Sequence, residues 1–350
     1  MQFTLSAEQR QFSASLHLML TAADATHSGR RWLAGDREPC RVLSRTIAET
    51  GVTALAIPAE FGGLGAHPAD VLLACQELGH HAMFGPVAES VAAVPTLLAA
   101  LTRARPGRID RIEEWLAGLA SGQLIATLAA PPLLPFAADV DKVGLVLLAE
   151  HGSLWVAEPR GLHRSVSPAR TLSEVTGRQL IADGPEVGRA LATALEFGAI
   201  ACSAQLLGAA SALLETTARH ARQRTQFGRP IGSFQAVKHR LADVLIQLEL
   251  ARPLPFAAAI ALADESADAP RDVSAAKVAS ARVANLAARA ALQVHGAIGY
   301  TAEHDVSQWL TLIRALIPAW GSEAMHKARV LAALTGQSVG GQPVQGQSCG

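Results

Sequence analysis

Cysteine is scarce in this chain. The four present, Cys40, Cys75, Cys202 and Cys349, lie far apart with no CxxC spacing, which argues against zinc and against a disulfide framework. No metal is expected. Charge of one sign is missing too: 30 basic residues balance 30 acidic ones, so no net field recruits nucleic acid or an anionic membrane surface. No uninterrupted apolar run reaches the length of about 18 residues that a membrane-spanning helix needs. The first residues, Met1 to Arg10 with Ser6 among them, read as a capped helix start rather than a basic-then-apolar leader. The setting expected from these absences is cytoplasmic and reduced.

Apolar material is plentiful. Half of the 350 residues are hydrophobic, enough for a large core and two or three domains. From Ser6 to about Leu119 the pattern is helical, broken at Gly51, at the Pro58 to Gly65 stretch and at Gly85-Pro86, where glycine and proline supply turn geometry. The character then changes. Two short β-type runs, Gly144 to Ala149 and Ser153 to Ala157, flank Glu150-His151-Gly152 as a hairpin,. Long alanine-rich helical patterns follow over 189–222, 235–264, 271–294 and 305–334, the second open to division at Pro253 and Pro255,. Four such helices form a bundle whose outer faces still need partners, so an oligomer is expected. The predicted fold is therefore mainly α with a small β domain. Its parts are an N-terminal helical domain (1–121), a reduced middle β domain (122–186), a C-terminal four-helix bundle (187–335) and a tail (336–350) that reads as disordered,.

The most specific segment runs from Arg222 to Asp243, a polar turn Arg224-Thr225-Gln226-Phe227-Gly228-Arg229-Pro230 between two helical patterns. It is followed downstream by Gln293-Val294-His295-Gly296-Ala297-Ile298-Gly299-Tyr300. A guanidinium suits pyrophosphate oxygens, and an amide satisfies phosphate or ribose. Gly296 and Gly299 leave backbone amides open to close approach by an anion. The pair of segments resembles the hallmark of the acyl-CoA dehydrogenases. Gly51-Val52-Thr53-Ala54-Leu55-Ala56-Ile57-Pro58, Gly62-Gly63-Leu64-Gly65 and Glu77-Leu78-Gly79 are similar to the same family's N-terminal helical domain. The resemblance spans about residues 5–335.

That resemblance implies FAD as cofactor, gripped across a subunit interface by Arg224, Gln226, Phe227, Gln235, Gln293 and Gly296. Plain readings stand beside it. Ser233-Phe234-Gln235 also looks like an ordinary helix start, and the glycines after Gln293 also fit a helix end leading into a turn.

The family's reaction needs a carboxylate to remove the proton α to a thioester carbonyl while the β-hydrogen leaves as hydride to the flavin. An ungapped count from Gly299-Tyr300 puts Trp320, followed by Gly321, at the usual carboxylate position, and an indole cannot accept a proton. The alternative position, on the first helix of the bundle, is Gly198. Glu196 lies two residues away and faces elsewhere on a helix. Glu323 is a weak candidate for a displaced base. Glu303 reads as part of a helix start and Asp305 as its N-cap. His295 and His304 read as structural or exposed.

In the middle domain Ala126 to Ala130 runs directly into Pro131-Pro132-Leu133-Leu134-Pro135, so the family's Gly-Ser-Asp loop against the flavin is absent. The pocket over the flavin is then expected to be incompletely walled in a lone subunit. The resemblance implies an acyl-CoA dehydrogenase subunit of a heterotetramer, acting in steroid or fatty acid catabolism. A homologous chain supplies the base, and electron-transfer flavoprotein or a similar acceptor takes the electrons. Two alternatives remain: a non-enzymatic scaffold or acyl-CoA binding protein, and a self-sufficient homo-oligomer using Glu323.

Overall fold

A computed structural model describes residues 5–36, 38–104 and 110–336. The tail from 337 onward, Cys349 included, lies outside them.

The N-terminal region is helical: α1 (Ala7–Ala22), α2 (Ser28–Leu33), α3 (Glu38–Glu49), α4 (Pro68–His80), α5 (Val94–Ala104) and α6 (Asp110–Ala120). Ser6 opens α1 with a reciprocal capping box, its hydroxyl accepting from the Gln9 amide while the Gln9 side chain accepts from the Ser6 amide, both at 3.1 Å,. A π-helical turn, Glu89–Ala93, precedes α5. Pro95 follows without an N–H to donate, which suits a local slip of the helical ladder. Such bulges recur at functional sites.

The middle region is a five-stranded sheet in the order β1-β3-β4-β5-β2. Its strands are β1 (Ala126–Ala129), β2 (Ala137–Ala138), β3 (Leu145–Glu150), β4 (Ser153–Arg164) and β5 (Thr171–Asp183). The β1–β3 pair is parallel and the remaining pairs are antiparallel. His151 and Gly152, at φ 49° and 76°, close the β3–β4 hairpin with the left-handed pair that two-residue loops require. Between β4 and β5 the chain returns toward the helices. Buried Asp139 ion-pairs with Lys142 and accepts the Thr171 amide at 2.9 Å, while Lys142 donates to the Ala169 carbonyl at 2.7 Å. This pair holds the 165–170 loop in place.

The C-terminal region comprises α7 (Pro185–Gln223), a two-residue ribbon β6 (Thr225–Gln226) and β7 (Arg229–Pro230), α8 (Gln235–Ala251), α9 (Pro253–Ala263), α10 (Ala269–His295), α11 (Val306–Leu316) and α12 (Glu323–Thr335). It forms four rods, two of them divided. Pro253 opens α9, as the sequence allows. The division of the fourth rod is new: the pattern over 305–334 reads as one helix, but Pro318, Trp320 at φ 63° and Gly321 at φ 106° interrupt it.

The core is continuous across all three regions. Like the α8–α9 rod (Gln235–Ala263), the central helix α7 contains an 18-residue window apolar enough to cross a membrane, stretches the sequence reading does not single out. Its most apolar window is 89% buried, so the apolarity is used up by packing. α4 crosses α7 at glycines: a Cβ on Gly79 would meet the Gln205 carbonyl at 2.2 Å, and one on Gly208 the Gln76 carbonyl at 1.9 Å. The Glu77-Leu78-Gly79 motif is thus a backbone contact. Along α8, Leu245, Ile246 and Leu250 face solvent at 48, 55 and 64% exposure, an apolar face left open in the single chain.

Candidate functional site

A cavity of about 540 Å³ opens where the three regions meet. The N-terminal region contributes Arg30 from α2 and the Ala82 to Glu89 segment. The β4–β5 loop contributes Ser167 to Arg170, and the C-terminal region contributes Gln205, Gln308, Thr311, Leu316 and Trp320. Arg30 fastens the rim by donating to Asp305 at 2.8 Å and to the Ala302 carbonyl at 3.0 Å.

The wall that would carry the base carries an indole. Trp320 is 1% exposed. Its ring lies on Gly198: a Cβ there would meet the Trp320 ring carbons at 2.1 to 2.5 Å. Trp320 and Gly198, the two positions at which the sequence count expects a base, are therefore in contact although distant in sequence. The missing side chain at Gly198 is what admits the Trp320 ring. The loop is held tightly at this point. His326 Nε2 donates to the Trp320 carbonyl at 2.9 Å, and His326 Nδ1 lies 3.1 Å from the Ser274 hydroxyl. Lys277, buried on α10, donates to the Ile317 and Leu316 carbonyls at 2.8 and 3.3 Å. Burial pushes the Lys277 ammonium down and holds the His326 imidazole down to about 4. A left-handed backbone costs a bulky residue of order 1–3 kcal/mol, so this placement of Trp320 is over-determined by its neighbours.

One carboxylate does line the cavity. Glu89, 5% exposed, begins the π-helical turn and faces Arg170 at 3.6 Å. Burial raises its pKa while the Arg170 guanidinium pulls the other way. Sequence reasoning missed it. The available signal is a single acid inside the apolar stretch Val87 to Val94.

The other carboxylates weighed from sequence are elsewhere. Glu323 stands exposed at the start of α12, 2.6 Å from Lys327, whose hydrogen bond lowers its pKa. It does not line the cavity. Glu196 ion-pairs with Arg329, and Glu303 is exposed in a turn. Asp305 does not cap α11 with its side chain; Arg30 and His27, at 2.8 and 3.0 Å, outcompete the helix amides for it. Ser233 likewise turns back to the Pro230 carbonyl at 2.7 Å and leaves Phe234 as an N-cap without a side-chain bond. His295 is buried, bonded through Nδ1 to the Ala291 carbonyl at 2.9 Å and stacked on His220 with centroids 4.2 Å apart.

The six residues expected at FAD lie in two exposed segments. Arg224 ends α7, and the β6–β7 ribbon carries Gln226 and Phe227 outward, with Phe227 91% exposed at φ 52°. Gln235 begins α8. Gln293 is in the last turn of α10, and Gly296 at φ 64° starts a 3-10 turn to Tyr300. Ala297, where the family usually has glycine, is absent from the left-handed positions, so its methyl is tolerated. A guanidinium, amides and an aromatic ring presented to solvent fit a grip on the phosphates and adenosine of FAD. The flavin-ring side fits less well: Thr127 on β1 is fully buried, its hydroxyl already accepting the Ala138 amide at 3.1 Å.

A large all-helical cradle around a small sheet, with a cavity at their junction, defines an acyl-CoA dehydrogenase fold. The comparisons agree. The family's N-terminal domain matches residues 6–123 and its C-terminal domain residues 188–335. Acyl-CoA dehydrogenase IpdE2 of Mycobacterium tuberculosis is 33% identical over 307 residues, 85% of this chain and 89% of that protein. Among solved structures, the ChsE4-ChsE5 complex of Mycobacterium tuberculosis aligns with TM-score 0.77 and 24% identity over 97% of this chain and 100% of that one. A glutaryl-CoA dehydrogenase of Mycobacterium smegmatis, in complex with FADH2, aligns with TM-score 0.78 and 19% identity over 95 and 96%. The chain belongs to the acyl-CoA dehydrogenase family, whose cofactor is FAD and whose general reaction is FAD-linked dehydrogenation.

Proposed function

We propose that this chain is the subunit of a heteromeric acyl-CoA dehydrogenase that lends the nucleotide grip and leaves the base to a homologous partner. The observation that carries this reading is the Trp320 ring seated on Gly198, the two positions to which the sequence count assigns the family's base. When bound, FAD would supply the acceptor for the β-hydrogen of the acyl thioester, taken as hydride. Arg224 would hold its pyrophosphate, Gln226 and Gln235 would satisfy polar atoms of the adenosine half, and Phe227 would cover it. Trp320 excludes water from the cavity but takes no proton.

Three features support a partner. The ribbon bearing Phe227 projects away from its own chain, the α8 face of Leu245, Ile246 and Leu250 is open, and a relative of the same fold is a two-protein complex by name. The substrate is an acyl-CoA of lipid origin, a steroid side chain or a fatty acid, processed in the cytoplasm. The electron acceptor is electron-transfer flavoprotein or its equivalent. The test is co-expression with a homologue that carries the carboxylate. A coloured hetero-oligomer is expected where the chain alone is colourless; a colourless, unassociated mixture refutes the reading.

Glu89 favours a second reading, a self-sufficient enzyme, because it is a desolvated carboxylate in the same cavity as Trp320. Glu89→Gln separates the two. Turnover that falls a hundred-fold or more with fold and flavin intact would make Glu89 the base.

A further inference from the structure

Three imidazoles and a carboxylate converge at the C-terminal end of α4. Glu77, His80 and His81 stand at i, i+3 and i+4 around the end of α4, one side of a helix, and His17 meets them from α1. One ligand atom from each lies within 4.8 Å of all the others. The three ring centroids are 4.8 to 5.1 Å apart. We propose that His17, Glu77, His80 and His81 form a binding site for a divalent transition-metal cation of the zinc class, which clamps α1 to α4.

The hydrogen bonds around the cluster fix where its lone pairs point. His80 Nε2 lies 3.1 Å from Glu215 on α7, whose other carboxylate oxygen takes the Ser211 hydroxyl at 3.1 Å. With the Nε2 proton given to Glu215, His80 Nδ1 carries a lone pair. That atom is buried and has no hydrogen-bond partner among the described residues. His81 Nδ1 donates to the Glu77 carbonyl at 3.0 Å, which leaves Nε2 as the acceptor, 3.1 Å from the Thr21 hydroxyl. Ser13 holds one Glu77 oxygen at 2.8 Å and turns the other toward His17 at 3.0 Å. Carboxylate or carbonyl acceptors behind ligating imidazoles fix tautomer and orientation in this way at zinc centres.

Imidazole-rich donors select zinc, copper, nickel or cobalt over calcium and magnesium, which prefer oxygen. Tetrahedral ligands bonded at about 2.0–2.1 Å sit about 3.3 Å apart, so the widest pair here closes by about 1.5 Å, a side-chain adjustment. The absence of CxxC spacing speaks only to cysteine ligands, and the histidine set needs the contact between α1 and α4 to be seen.

The test uses the full chain in its assembly, without a histidine tag, stripped by chelator and titrated with zinc chloride against a chromophoric competitor. One saturable equivalent per copy of this chain is expected, together with a rise in Tm. Cobalt(II) is expected to give the d–d absorption of a nitrogen-ligated site. Glu215→Gln, which removes no ligand, is expected to weaken zinc binding about ten- to a hundred-fold, and His80→Ala at least as much. His151→Ala, on the exposed hairpin, leaves it unchanged. If His80→Ala does not fold, His17→Gln, whose side chain is half-buried, replaces it. No saturable equivalent in the wild type, or equal binding in the ligand variants, overturns the site.

Discussion

Gly198→Ala tests the contact at the centre of the candidate site. The substitution alone removes the helix-interior penalty of glycine, a gain of about 0.5–1 kcal/mol. Against it stands the added methyl, which would meet the Trp320 ring at 2.1 Å. The ring is 1% exposed, His326 holds the Trp320 carbonyl and Lys277 holds the Ile317 carbonyl just before it, and overpacking of this kind costs about 1–3 kcal/mol. The overpacking wins or balances, and the single variant is neutral to about 2 kcal/mol less stable. In a Trp320→Leu background the clash is gone and Gly198→Ala becomes stabilising. The double-mutant cycle is therefore expected to give a coupling energy of about 1–3 kcal/mol, read from urea midpoints at constant m-value. Additivity within about 0.5 kcal/mol would refute the claim that the two positions are in contact.

Arg224→Ala is expected to weaken FAD retention about ten- to a hundred-fold, since a charge-assisted contact is worth about 1.5–3 kcal/mol, without lowering Tm in the FAD-free state; unchanged flavin content makes Arg224 a surface residue only. Glu323→Gln and Glu303→Gln are expected to leave turnover by the assembly within a few-fold of wild type, because both are exposed and away from the cavity; a collapse in Glu323→Gln, with fold and flavin intact, contradicts the non-catalytic assignment. Stability is expected to fall on acidification through His326. Its folded pKa of about 4 lies below its ordinary 6.5, so the unfolded chain binds the extra proton first, and stability present above 6.5 is lost progressively toward 4,. Urea midpoints between about pH 7.5 and 5 check this, with the slope flattened in His326→Asn; an unchanged slope in that variant removes His326 from the account.

The helical and β regions were legible because periodicity survives a single-sequence reading, as the β3–β4 hairpin at His151-Gly152 and the bundle rods illustrate. The break in the fourth rod was not, because helical pattern on both sides of Pro318 hides a loop whose geometry is set by Lys277 from α10 and by His326 of α12 bonding back across the break. Trp320 and Gly198 were each readable as occupants of base positions, but their contact depends on how α7 and the α11–α12 loop pack. Local cap chemistry misled at Asp305 and Ser233. There a tertiary guanidinium and a nearby carbonyl offer stronger or closer partners than the helix amides. Glu89 escaped notice because its meaning comes from Arg170, which reaches it from the β4–β5 loop.

The most direct test of the heteromeric account is steady-state acyl-CoA dehydrogenation with an artificial electron acceptor. It compares this chain alone, the chain with its homologous partner, and the chain with a partner whose own carboxylate is replaced by glutamine. The account predicts no turnover alone, turnover with the intact partner, and a loss of a hundred-fold or more with the glutamine partner. Stoichiometric FAD and sustained turnover in the lone homo-oligomer would contradict it.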